Sequence, residues 1–228
     1  MNAFTYVFVV VLLAVMFGPG VAKAEVSGSL GVVSLYKFNG IDVDSRSSRN
    51  NNGFNPSLQG DIRYSFDNGF YLGAAFSTGK FSDGINQANV EIDAVVGLTG
   101  GNESGVSYDV SVARYYFPGV RLLTVNEVNA SVSYGWFAIR FGRTFGGKLE
   151  SFERLAFVYS QPIDSRLSFV AEVGKLNSLI LNRPGYFSVG VVYDLGEGWA
   201  LSGVVTGAQN KAGPEGRKRI VLGVKKQF

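Results

Sequence analysis

Glu91 and Asp93 are separated by one residue, so in an extended segment both carboxylates project from the same face. Two such groups can ligate a hard cation or divide acid and base work between them. Calcium prefers ~6–8 oxygen ligands, and this pair falls well short. The 228 residues contain 0 His and 0 Cys. That excludes Ser-His and thiol nucleophiles, Cys-zinc sites, disulfides and lipid attachment through Cys. No enzymatic reaction, cofactor or metal is expected.

A larger set of charged residues invites a different chemistry: Asp61, Arg63, Glu91, Asp93, Asp109, Glu127, Arg140, Arg154, Arg166, Glu172, Asp194 and Lys225. Each falls on the polar side of a segment that alternates with period 2. Leu58, Gly60, Ile62, Tyr64 and Phe66 alternate with Gln59, Asp61, Arg63 and Ser65. Val90, Ile92, Ala94, Val96 and Leu98 oppose Glu91, Asp93, Val95 and Gly97. The runs 167–174 and 187–195 repeat the pattern, which is that of β-strands with one apolar face. The charged set then lines a common interior. Its members either pair across strands in a watery lumen or form rings of one sign that select ions. Both signs are interspersed along the chain, which favours plain lining.

This alternation predicts strands near 28–38, 57–66, 70–78, 89–98, 106–117, 126–134, 136–144, 154–161, 165–175, 186–195, 199–207 and 218–228. Each approaches the ~9–11 residues of a tilted membrane strand. Tight turns (Asp67-Asn68-Gly69, Gly135, Pro162-Ile163-Asp164, Gly196-Glu197-Gly198) alternate with longer polar links at 39–56, 79–88, 118–125, 145–153, 176–185 and 208–217. Outer-membrane barrels have this asymmetry, with short periplasmic turns and long outer loops. Composition agrees, with 46% hydrophobic, 14% aromatic and only 17% charged residues. Disorder is excluded, and a formal charge of +3 gives no footing for nucleic acid.

Three features separate a membrane barrel from a soluble one. Aromatics gather at predicted strand ends, with Phe66, Phe70, Tyr134, Trp136, Tyr193 and Trp199 beside the short turns. Tyr36, Phe38, Phe76, Tyr115, Tyr116, Phe141 and Phe145 lie toward the long links. The inward set is Ser, Gly, Asp, Glu and Arg rather than large apolar filling. Finally, Phe228 closes an apolar face of Ile220, Leu222 and Val224, interrupted by Lys226, which must snorkel to the periplasmic edge. A terminal Phe of this kind resembles the signal read by the barrel assembly machinery. Upstream, the apolar run 7–17 is too short to span a bilayer, and Ala22-Lys23-Ala24 fits a signal cleavage site. Residues 1–24 are thus expected to be a cleaved secretory signal peptide and 25–228 the barrel.

Ser34-Leu35-Tyr36-Lys37-Phe38-Asn39-Gly40-Ile41 resembles the opening of the proteobacterial Gcw_chp family, also called TorF-family porins. Leu58-Gln59-Gly60, Gly69-Phe70-Tyr71-Leu72-Gly73, Glu91-Ile92-Asp93 and Tyr115-Tyr116-Phe117-Pro118-Gly119 follow in that family's order, as do Glu127 and Tyr134-Gly135. Lys37 and Asn39 stand where the family usually has Arg. The resemblance implies an outer-membrane barrel and a solute pore, without naming a solute.

The expectation is therefore an all-β, closed, antiparallel, up-and-down transmembrane barrel of about twelve strands in the cell outer membrane. It would act as a passive pore for small polar solutes or ions. A closed barrel with a structural, adhesive or surface-interaction role is the alternative. The partners expected are outer-membrane lipid and lipopolysaccharide, the assembly machinery and the solute. Lys211, Arg217, Lys218 and Arg219 read first as a solvated basic loop at the membrane rim, and second as attraction for lipopolysaccharide phosphates or an anionic solute. The Asn50-Asn51-Asn52 run reads as exposed loop.

Overall fold

The computed structural model describes residues 24–46, 53–147, 152–177, 184–209 and 213–228. The expected signal segment (Ala24 apart), the Asn50–Asn52 run and Lys211 lie outside them. Among the described residues, the wall begins with β1 (Ala24–Val33), and the chain then forms the two-residue strands β2 (Lys37–Phe38) and β3 (Ile41–Asp42). The wall resumes with β4 (Ser57–Phe66), β5 (Phe70–Ser82), β6 (Gln87–Gly101), β7 (Val106–Tyr116) and β8 (Val125–Tyr134). It is completed by β9 (Phe137–Phe145), β10 (Glu153–Pro162), β11 (Leu167–Asn177), β12 (Gly185–Gly196), β13 (Trp199–Ala208) and β14 (Arg219–Gln227).

Successive wall strands pair antiparallel, and β1 pairs with both β4 and β14, so twelve strands close without an edge. The seam is finished by reciprocal bonds: Gly28 N–H donates to the Phe228 carbonyl at 2.9 Å, and Phe228 N–H donates to the Gly28 carbonyl at 3.0 Å. Closure pairs the wall's backbone groups internally, which hydrocarbon demands.

The register sends one parity outward on every strand. Ile62, Ile92, Val110, Val132, Ile139, Phe157, Val173, Val189, Leu201 and Leu222 all lie on the outer surface and are exposed. An apolar surface of that extent, wrapped around a closed sheet, is a lipid-facing belt. Val173→Lys should therefore cost ~1–2 kcal/mol in vesicle unfolding titrations, because the cation would sit in hydrocarbon between the midplane and the outer interface. A change near zero would remove Val173 from the lipid face. Lys226, the cation on the last outward row, donates to the Glu197 carbonyl and lies 5.6 Å from the Trp199 ring, at the short-turn edge.

Two expected boundaries are corrected. The strand expected over 28–38 leaves the wall after Val33, and residues 34–46 turn inward instead. The expected link 79–88 is mostly strand, leaving a four-residue turn at 83–86. A bulge between Thr78 and Phe81 shifts the pairing there, bringing Phe81 to the buried side opposite Ala88. At the tip, Asp83 accepts the Ile85 and Asn86 N–H groups at 3.0 and 2.7 Å.

Candidate functional site

The inward segment is a hairpin laid across the lumen. Ser34 still belongs to the seam, its N–H donating to the Leu222 carbonyl at 2.7 Å. Beyond it, Lys37 pairs with Asp42 and Phe38 with Ile41. The turn between them, Asn39-Gly40, has φ of 51° and 75°. Positive φ at both central residues is the two-residue hairpin geometry that Asn-Gly favours. The tip meets β12 and β13, where a Cβ on Gly40 would lie 2.4 Å from the Gly207 carbonyl oxygen and 2.9 Å from the Tyr186 Cβ. Only glycine satisfies both the dihedral and that approach.

Each side of the hairpin is anchored. Ile41, with Phe152, packs on Ala156, Leu176, Tyr186 and Ala208 from β10–β13. Tyr36 and Val43 pack on the opposite side against Phe81, Ala88, Phe117 and Val120. The Tyr36 hydroxyl donates to Glu91 Oε2 at 2.9 Å. Asp44 accepts the Lys80 N–H at 3.1 Å and the Arg46 N–H at 2.8 Å, and pairs with the Arg46 guanidinium. Burial works to raise the Asp44 carboxyl, but the Arg46 side chain and these two N–H groups outweigh it and hold it below its usual range. Lys37 is paired with Asp42 and donates to the Arg217 carbonyl at 2.9 Å, tying the hairpin to the β13–β14 link. Burial lowers the Lys37 ammonium and raises the Asp42 carboxyl, each opposed by their mutual attraction.

The wall charges sort into sectors. Glu91 and Asp93 on β6, Asp109 on β7 and Glu127 on β8 all occupy the inward parity. Tyrosine hydroxyls donate to several of the inward carboxylates: Tyr71 to Asp109 at 2.9 Å, Tyr115 to Glu127 at 2.7 Å, and Tyr186 to Glu172 at 2.6 Å. Arg140 on β9 and Arg154 on β10 follow around the ring. Arg140 reaches past the intervening strand to Glu172 at 3.4 Å. Arg63 lies 3.5 Å over the Tyr71 ring and 3.9 Å from Asp109. Asp61 accepts a hydrogen bond from the Ser29 hydroxyl.

Arg154 joins wall to hairpin. Its Nη2 donates to Asn129 Oδ1 at 2.9 Å and its Nη1 to Asn39 Oδ1 at 3.4 Å, while its guanidinium carbon lies 5.5 Å from the Phe38 ring. Gly142 makes room for this cluster, since a Cβ there would lie 2.5 Å from Glu127 Oε1 and 3.1 Å from Arg154 Nη2. Between hairpin and wall lies a cavity of about 330 Å³, bordered by Lys37, Asn39, Gln59, Arg140, Arg154, Glu172, Tyr186, Ser188 and Thr206. Its polar lining of both signs suits a hydrated small solute better than an apolar ligand.

Of the twelve charged positions singled out from sequence, nine converge around the hairpin or on the wall beneath it. Asp194 and Lys225 sit at the short-turn end of their strands, where Asp194 Oδ1 accepts the Gly196 N–H at 2.7 Å. Arg166 lies in the turn ahead of β11 rather than on the wall, its carbonyl accepting the Asp194 N–H at 2.7 Å. Opposite signs meet on the wall, at Arg63–Asp109 and Arg140–Glu172. Sequence reasoning missed the hairpin, although Phe38-Asn39-Gly40-Ile41 carries the Asn-Gly turn signal. It also missed the tyrosines that donate to the carboxylates, for which no sequence signal exists.

The family described as "Bacterial protein of unknown function (Gcw_chp)" matches residues 19–227, spanning every wall strand and the hairpin. The chain belongs to the Gcw_chp family. No curated protein sequence matches this Gcw_chp chain. Among solved structures it is similar to "KdgM porin in complex with disordered oligogalacturonate", with TM-score 0.60 and 11% identity, covering 90% of this chain and 99% of that one. A second "KdgM porin" structure gives TM-score 0.58 and 12% identity over 89% and 98%. "LpxR from Salmonella typhimurium" gives 0.48 and 10% over 89% and 99%. The likeness to the two KdgM structures supports the barrel architecture.

Proposed function

We propose that this Gcw_chp protein is a passive outer-membrane pore for small polar solutes or ions, with the hairpin setting its narrowest passage. The observation that carries the reading is the charged, polar cavity between the hairpin and the β9–β13 wall. The architecture shared with the KdgM porin, solved in complex with disordered oligogalacturonate, supports it. The nine inward charges around the hairpin would line the passage rather than catalyse, so Glu91→Gln should change conductance or stability and abolish no reaction.

One observation favours a second reading. A hairpin packed at both ends can stopper the lumen, leaving a barrel with a structural or surface role. Single-channel recording of the refolded barrel in planar bilayers decides between them. Discrete, reproducible steps establish the pore, whereas a silent bilayer with a heat-modifiable folded band establishes the stoppered barrel.

The Asp44 anchor gives this reading a pH dependence. A depressed carboxyl contributes its stabilisation above the unfolded value of ~3.9 and loses it as pH falls through the lower folded value. Wild-type protein should therefore hold its hairpin in place down to about pH 4. Asp44→Asn should show at pH 7 the raised or noisier conductance that wild type shows only in stronger acid. Identical traces across pH 3–7 for the two proteins would remove Asp44 as an anchor.

A further inference from the structure

Away from the short-turn edge where Lys226 lies, Arg114 on β7, Arg143 on β9 and Lys175 on β11 interrupt the apolar outer surface on alternate strands. Their register places them outward, opposite Ala94, Val128 and Leu155 respectively, and all three are exposed. Their heights follow from the stagger of the barrel. The pairing row Leu30–Gly60–Phe76–Ile92–Tyr116 starts within β1 and reaches the last residue of β7, so rows climb toward the long-link rim. The climb is about one residue per strand, as a tilted closed sheet requires.

A line of constant height must therefore step back two residues for every two strands. From Arg114 the row passes to Asn126; two residues back is Val128, whose partner is Arg143. Arg143 faces Glu153; two residues back is Leu155, whose partner is Lys175. Arg114, Arg143 and Lys175 thus stand on one contour, on alternate strands, roughly 10 Å apart.

The surroundings keep them presented. Asn126 Oδ1 accepts from Arg114 Nη1 at 3.0 Å, fixing the guanidinium beside the wall. Arg143 is 3.5 Å from Glu153 yet its side chain remains 63% exposed. Glu153 in turn accepts the Asn177 amide at 2.8 Å, which shares out its charge. Directly below are the apolar residues Phe141, Phe157 and Val173, suited to acyl chains. At the opposite end of the barrel, the short turns carry Asp67, Glu103, Asp164 and Glu197.

We propose that Arg114, Arg143 and Lys175 form a docking contour for the phosphates of lipopolysaccharide, whose acyl chains lie on the apolar wall beneath. Spaced cations above hydrocarbon match a lipid that carries several phosphates on one headgroup better than a lipid with a single phosphate. The inference rests on the outer-membrane location proposed above and is independent of whether the lumen conducts.

The test is binding of lipopolysaccharide, and of the same material dephosphorylated, to the refolded barrel in detergent by surface plasmon resonance. Wild type should prefer the phosphorylated form at least about 10-fold, with affinity falling as salt rises. R114Q/R143Q/K175Q should lose that preference, while Arg166→Gln, at the opposite rim, keeps it. Heat-modifiable migration checks folding of each protein; should the triple variant not fold, Lys175→Gln alone should reduce the preference about 3-fold. Equal binding of both forms by wild type, retention of the preference by the variants, or equal capture by phosphatidylglycerol vesicles would overturn the proposal. Because the contour lies outside the lumen, conductance of the triple variant should match wild type. A wild-type barrel that binds lipopolysaccharide but stays silent would sink the pore reading alone.

Discussion

Replacing residues 36–43 with a short Gly-Ser link should raise single-channel conductance about 3-fold or more, with the barrel still folded. The replaced segment contributes the Asn39-Gly40 tip against Gly207 and Tyr186, and the Tyr36 and Val43 side chains against the Phe81 cluster. None of it belongs to the wall ladders, which close through β1 and β14 regardless. Glu91 loses the Tyr36 hydroxyl but gains water, so its charge is not stranded. A milder route to the same end is Gly40→Val, which places a Cβ against the Gly207 carbonyl at a positive φ and should dislodge the tip alone. Unchanged conductance in both variants would mean that the hairpin does not set the passage. A deletion that fails to fold, beside a folded Gly40→Val with wild-type conductance, would make the hairpin a structural brace.

Arg154→Gln should move the permeability ratio toward cations by about 3-fold or more. Arg154 stands where hairpin and wall meet, held by Asn129 and Asn39 and facing the cavity. Its charge is the counterweight to the carboxylates on β7 and β8. Without it, Asp109 and Glu127 dominate the local field, while Arg140 is already paired with Glu172. The Tyr115 hydroxyl still donates to Glu127 at 2.7 Å, so the buried carboxylate keeps a partner and the fold survives. Reversal potentials across a KCl gradient read the effect. A ratio that does not move would place the ionic pathway away from the hairpin tip.

The wall was legible because it obeys a single rule. Period-2 alternation located all twelve wall strands, and the same parity separated lipid-facing Ile139 and Val173 from inward Arg140 and Glu172. It misled where that rule loses phase. Residues 34–38 continue the alternation of β1, so they read as wall, and only the Asn39-Gly40 turn signals a second hairpin. Likewise the bulge at Thr78–Phe81 breaks the phase of β5, making 79–88 read as a loop. Partners were less legible than positions. Arg140 to Glu172 skips a strand, and Tyr115 to Glu127 depends on the register between β7 and β8, which alternation leaves undetermined.

The seam between Gly28 and Phe228 also has a kinetic meaning. Every other wall pairing joins neighbours in the chain, and can zip as soon as its short turn or link has formed. The β1–β14 pairing joins residues about 200 apart, and closing a loop of that length costs roughly 2.6 kcal/mol more than closing one of ten residues. Until it forms, both β1 and β14 offer open ladders to any passing strand, including another copy of the same chain. The vulnerable species is thus an eleven-ladder sheet awaiting its last contact. Substitutions at the seam, such as those at Gly28 beneath the Phe228 ring, should slow assembly and promote aggregation more than they shorten the lifetime of the finished barrel.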